Sequence, residues 1–125
     1  MILQHQQMSR EIVIDAARTV EFMGPDMRVY GTPNMVSDVE MLCRDMLLPK
    51  LEPGQDTVGI RVSIDHLGPA VIGDRIAIHA TVKIVDGRRV SFDTTVMRGD
   101  KVIGLMLHIR SVVSVADLKL RLATI

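Results

Sequence analysis

Glu40, His66 and the pair His108 and Arg110 are the residues of this sequence whose types suit acid–base chemistry or anion binding. Glu40 sits at the edge of an apolar stripe, beside Val36, Cys43 and Leu47 in helical neighbourhood. A carboxylate there is either tethered to a base or working as one. Arg44 lies four residues on, in the favourable acid-then-base order, and such helix pairs contribute about 0.3 to 0.5 kcal/mol. Taken singly, that ordinary pair is the favoured reading. His66 continues the even-numbered set Val58, Ile60, Val62 and Ile64, which points it to the buried face at a strand end. It either lines a loop-rimmed cleft or is merely hydrogen-bonded there. His108 and Arg110 share one face of a strand with Met106 and Val112, as an anion site or as a polar edge. Thr32, just before Pro33, reads as a helix cap, since its hydroxyl can accept from free backbone amides. His79 falls opposite Ile76, Ile78 and Ala80, as a surface or interface residue, and His5 lies in a tail. Cys43 lies on the apolar stripe and reads as a buried, inert thiol.

The elements that must position these groups are legible from periodicity. Gly31-Thr32-Pro33 starts a helix, because proline at the first helical position forfeits only an amide that had no partner. Met35, Val36, Val39, Leu42, Cys43, Met46 and Leu47 then recur at spacings of three and four, which makes one apolar stripe. Pro49 ends the helix near Leu48. Residues 1 to 9 read as a loose lead-in. Glu11 to Phe22 reads as a strand blurred by Ala16-Ala17-Arg18 and broken by Gly24-Pro25-Asp26. From Asp56 the period changes to two. Val58 to Ile64, Ile76 to Ile84, Val90 to Val96 and Val102 to Val113 alternate as four strands. Asp86-Gly87 marks a tight hairpin, Gly99-Asp100 another turn, and Ser114 caps a short closing helix from Val115 to Leu122. The expected architecture is α+β, with an antiparallel sheet crossed by the helix from Pro33.

A chain of 125 residues is expected to be one domain. Apolar residues make up 47% of it, yet Phe22, Tyr30 and Phe92 are the whole aromatic complement, so aliphatic and methionine side chains must fill the core. Fifteen basic and fifteen acidic residues cancel. That gives neither the positive field of a nucleic-acid binder nor a polybasic membrane patch. No apolar run approaches the roughly 18 to 20 residues of a spanning helix, and Met1 to Gln7 lacks the regions of a secretion signal. A cytoplasmic location is the expectation. One cysteine and no Cys/His spacing give neither a disulfide framework nor a metal site.

Several motifs fall in register with a known family. Thr32-Pro33-x-Met35-Val36 with Glu40 is similar to the fluoroacetyl-CoA thioesterase-like proteins, a family of hotdog-fold acyl-CoA thioesterases. So are Thr57-Val58-Gly59-x-x-Val62-x-x-x-His66-Leu67 followed by Pro69 and Gly73, Asp86-Gly87-Arg88 ahead of Phe92, and the ending His108-x-Arg110-x-Val112-Val113. The resemblance spans Val13 to Val113. It implies a long helix wrapped by a curved antiparallel sheet and a homodimer with sites at or near the subunit interface. It also implies a catalytic set of Thr32, Glu40 and His66, with Gly59 and Arg110 in the same site. Members tuned to fluoroacetyl groups place phenylalanines over the acyl pocket ahead of the Thr-Pro motif. Here Met23 to Tyr30 holds one aromatic residue, Tyr30, which is the side chain expected against the substrate.

The implied reaction is hydrolysis of an acyl-CoA thioester, with coenzyme A entering only as part of the substrate and no separate cofactor. Glu40 would act as general base or nucleophile, His66 would move the proton, and Thr32 or backbone amides would hold the oxyanion. Eight residues separate Thr32 from Glu40, about 12 Å along a helix at about 1.5 Å per residue, too far for direct contact within one chain. A bridging substrate or a two-fold dimer must join them. A hydratase of the same fold would carry an Asp-x-Asn-Pro-x-His-like segment, whereas Asp65 and His66 are adjacent here. The remaining alternative is a non-catalytic module that binds acyl-CoA or another hydrophobic ligand.

Overall fold

The stripe after Gly31 forms helix α1 (Thr32–Leu47), which runs into a 3-10 turn at Leu48–Lys50. The computed structural model describes residues 1–125. The strands are β1 (Gln7–Val13), β2 (Gln55–His66), β3 (Arg75–Asp86), β4 (Arg89–Arg98) and β5 (Lys101–Ser114), and a short helix α2 (Val115–Leu122) closes the chain. All five strands form one antiparallel sheet in the order β1-β3-β4-β5-β2. Met35, Val39, Leu42, Cys43, Met46 and Leu47 of α1 pack on Ile76, Ile78, Ala80, Val82, Phe92, Val96 and Met106 of the sheet. That is the aliphatic and methionine core expected of so few aromatic residues. Gly104 leaves room for the Met35 side chain of α1, whose Sδ would stand 2.5 Å from a Cβ there. Gly87 and Gly99 take positive φ at the first position of their two-residue loops, which the twist of a tight hairpin favours. Ser114 caps α2, its hydroxyl accepting from the Asp117 amide. No helix is long and apolar enough to cross a membrane.

The N-terminal reading needs correction. Residues 7 to 9 are part of β1, and the backbone of His5 and Gln6 bonds Val82, so the lead-in is only the first few residues. An edge strand needs only backbone donors and acceptors, so polar Gln7 and Ser9 do not prevent it. The chain then leaves the sheet earlier than expected. Ile14 dives into the core, and Asp15 caps a 3-10 turn over Ala16–Arg18 that replaces the blurred strand.

A second correction concerns alternation. A β-bulge between Gly59 and Arg61 shifts the register of β2 against β5. Before it the inward residues are Thr57 and Gly59, and after it they are Val62, Ile64 and His66. The expected set Val58 to His66 is therefore split, with Val58 on the outer face. Lys83 marks a similar shift in β3, so Ile84 faces outward opposite Ser91 while Val85 opposes Val90. An extra residue reverses every later side chain, because the strand period is two. β2 is also an edge strand of twelve residues. Val58, Ile60 and Val62 are 37 to 45% exposed in the single chain, so the face expected to be buried is largely bare.

Candidate active site

The five residues grouped by the resemblance, Thr32, Glu40, His66, Gly59 and Arg110, sort into two clusters within one chain. The first lies at the start of α1. Gly31, not Thr32, is the N-cap, and it makes no side-chain cap bond. Thr32 is the first helical residue and Pro33 the second, so the threonine hydroxyl is free of capping duty. It meets His66 Nδ1 at 2.7 Å instead. Tyr30 lies edge-on to the His66 ring, with centroids 6.3 Å apart. An open depression of about 340 Å³ is lined by Val29, Tyr30, Thr32, His66, Leu67, Gly68 and Pro69. Tyr30 itself is buried, and its hydroxyl donates to Asp38 Oδ2 at 2.6 Å. Burial and that bond push its pKa upward, so the hydroxyl stays protonated and committed to Asp38. Asp38 also takes Arg18, a long-range tie that no sequence spacing marked.

The second cluster surrounds Glu40, two turns further along α1. Arg44 does not hold Glu40. It grips Asp56 with two bonds of 2.9 and 2.7 Å. Those hydrogen bonds hold the Asp56 carboxyl below the usual range. The expected i,i+4 pair loses because a bidentate guanidinium–carboxylate fork is the stronger geometry. Glu40 instead faces Arg110, whose Nη1 is 3.5 Å from Oε2. Arg110 is almost wholly buried and donates Nε to Thr57 Oγ1 at 2.8 Å and Nη2 to the Thr57 carbonyl at 2.9 Å. Burial draws its pKa down, while Glu40 and the more distant Cys43 oppose that. Cys43 is fully buried and its thiol is pushed up to about 12, which keeps it protonated and inert.

Gly59 explains why the carboxylate fits. A Cβ on Gly59 would collide with Glu40 Oε2 and stand 3.1 Å from His108 Cε1. Gly59→Ala is therefore expected to displace Glu40 and lower kcat by about 10²-fold, since a misplacement near 1 Å is enough. Kinetics on the variant, with circular dichroism to verify folding, check this. An unchanged kcat would mean that Glu40's position does not matter.

His108, expected with Arg110 as an anion site or a polar edge, is fully enclosed. Burial pushes its pKa below the ordinary value of 6.5. As pH falls through that value the unfolded chain takes up the proton first, so folding stability declines toward acid. Urea midpoints should drop between about pH 7.5 and about pH 5.5, and the drop should shrink in His108→Asn. An equal drop in both proteins would remove His108 from the acid sensitivity.

Thr32, His66 and Tyr30 thus line one depression, while Glu40, Gly59 and Arg110 meet elsewhere on the same helix and sheet. Thr57 and His108 complete the second cluster. Thr57 stood in the motif without a function, and its inward direction became visible only through the bulge.

Comparison with known proteins now decides the family. The family model described as fluoroacetyl-CoA-specific thioesterase matches residues 14–116. The chain belongs to this family. The membership makes it an acyl-CoA thioesterase. A curated relative, the fluoroacetyl-CoA thioesterase of Streptantibioticus cattleyicolor, is 26% identical over 115 residues, covering 86% of this chain and 83% of that protein. A solved fluoroacetyl-CoA thioesterase superposes with a TM-score of 0.90 at 23% identity, over 99% of this chain and 97% of the other. A hot-dog-like protein from Thermanaerovibrio acidaminovorans gives 0.89 at 24% identity, covering 97% and 90%. The architecture is the hotdog fold, a long helix wrapped by a curved antiparallel sheet, as the motifs implied.

Proposed function

We propose that this chain hydrolyses an acyl-CoA thioester in a homodimer whose active sites each take Glu40 from one subunit and Thr32 with His66 from the other. The observation that carries this is the separation of the two clusters. Thr32 bonds His66, Glu40 bonds Arg110, and no hydrogen bond joins the pairs. The bare edge strand β2 supports the dimer. An exposed, apolar strand edge twelve residues long invites pairing with another strand. Antiparallel pairing of two β2 edges about a two-fold axis places the His66 end of one strand toward the opposite end of its partner. That brings each Thr32–His66 pair toward the other subunit's Glu40–Gly59 region.

In the reaction, Glu40 takes a proton from water and the resulting hydroxide attacks the thioester carbonyl. The tetrahedral oxyanion is held by the Thr32 hydroxyl and by amides at the positive end of α1. Collapse expels the CoA thiolate, which takes the proton back by way of His66. In the covalent variant, Glu40 attacks the carbonyl directly and water then opens the mixed anhydride. Gly59 keeps space for the carboxylate, and Arg110 supplies the facing positive charge. The Tyr30 ring edge borders the acyl side. Val29 and Leu67, beside Thr32 and His66 in the depression, suit an aliphatic acyl group.

The test is turnover on a panel of acyl-CoAs of graded chain length by wild type and His66→Ala. Hydrolysis by the wild type, with kcat lowered about 10²- to 10⁴-fold in the variant, is expected. Tight binding of acyl-CoA without turnover across the panel would instead identify a binding module and overturn the assignment.

A further inference from the structure

We propose that His108 is a positioning residue of the active site, an Nδ1–H tautomer whose Nε2 accepts an N–H of Arg110 and so aims the guanidinium at Glu40. The proposal rests on the reading of Glu40 as the reacting acid. Its basis is what each ring nitrogen faces. Nδ1 lies 2.8 Å from the Arg61 carbonyl oxygen. A carbonyl has no hydrogen to give, so Nδ1 must carry the proton. Nε2 lies 3.2 Å from Arg110 Nη1, and a guanidinium nitrogen can only donate. Nε2 must therefore present its lone pair. Glu40 Oε2, at 3.7 Å, lies beyond a hydrogen bond from that nitrogen, so the carboxylate reaches the imidazole only through Arg110.

The consequences follow from the shape of the guanidinium. Nε and Nη2 are committed to Thr57, and Nη1 is shared by His108 and Glu40. A planar group held on both its outer nitrogens cannot rotate. Both Glu40 contacts fall on Oε2, which leaves Oε1 without a protein donor. The ring is itself held: Phe92 stacks on it at 6.2 Å and 27°. The carbonyl it grips lies at the β2 bulge. The bulge thus has a use beyond bending the strand, because it presents the Arg61 carbonyl to the imidazole and sets its tautomer.

Three variants separate orienting Arg110 from merely pinning the strand. His108→Phe loses both bonds. His108→Asn keeps a donor at the Nδ1 position for the Arg61 carbonyl but loses the distal acceptor. His108→Gln can place its carbonyl oxygen near the Nε2 position for Arg110. On the acyl-CoA that the wild type turns over fastest, Phe and Asn should lower kcat about 10- to 100-fold with KM changed less than about threefold, and Gln should recover most of that loss. Nitrogen-15 NMR of the wild type at neutral pH should report the Nδ1–H tautomer, and Arg110 Nη protons should exchange more slowly in wild type and Gln than in Asn. Equal recovery by Asn and Gln, an unchanged kcat in Phe, or an Nε2–H tautomer would overturn the proposal. If the wild type hydrolyses no acyl-CoA, the reaction assignment fails by itself. The tautomer and the Arg110 exchange rates then decide the role of His108 without it.

Discussion

Glu40→Gln is expected to lower kcat by about 10³-fold while KM changes little, because the amide keeps the size of the carboxylate but cannot take a proton from water or attack a carbonyl. The variant should fold. Glu40 is at the mouth of its cluster, with 28% of its side chain exposed, and Arg110 keeps its bonds to Thr57 and His108 without it. Thermal melts beside the kinetics distinguish lost chemistry from lost structure. A kcat within a few-fold of wild type would exclude Glu40 from the reaction. A single-turnover experiment in oxygen-18 water separates its two possible roles. As general base, Glu40 leaves the first product labelled from solvent. As nucleophile, it gives its own unlabelled oxygen to the first product when water opens the anhydride at the Glu40 carboxyl carbon, and a trapped acyl-Glu40 anhydride identifies opening at the acyl carbon instead.

Mixing two inactive proteins should restore activity. In the proposed homodimer, Glu40→Gln and His66→Ala would each disable every site. When the subunits exchange freely, half of the dimers are mixed. In each mixed dimer one site combines the unaltered Glu40 of one chain with the unaltered His66 of the other, while the second site carries both substitutions. About one quarter of wild-type activity should therefore return, from a background about 10²-fold lower or less. If instead both residues of a site came from one chain, each site would keep one defect and mixing would recover nothing. The arithmetic makes the shared site falsifiable without a structure of the dimer. The same experiment tests the β2 edge, since recovery requires the subunits to associate.

Much of the fold was readable because periodicity is a local property. The stripe from Met35 to Leu47 identified α1, Asp86-Gly87 and Gly99-Asp100 located hairpins, and Ser114 did cap α2. The misreadings arose where a local pattern met a non-local demand. β1 includes polar residues because β3 supplies its hydrogen bonds. Val58 and Ile84 turned outward because single extra residues shift the register, and nothing in an alternating run declares a bulge. Arg44 chose Asp56 over Glu40 because the strand placed a carboxylate where both its oxygens meet the guanidinium.

The sequence by itself determined the composition of the core, the order of the elements and, through motifs in register, the family, and it singled out Thr32, Glu40, His66, Gly59 and Arg110 as candidates. These depend on residue types and spacings along the chain. The tertiary structure alone decided which of those residues meet. Thr32 gave up capping for His66, Arg110 rather than Arg44 faces Glu40, and Thr57 and His108 fix Arg110. Side-chain partnership is a competition among groups distant in sequence, settled by strand register and burial, and neither can be measured along the chain.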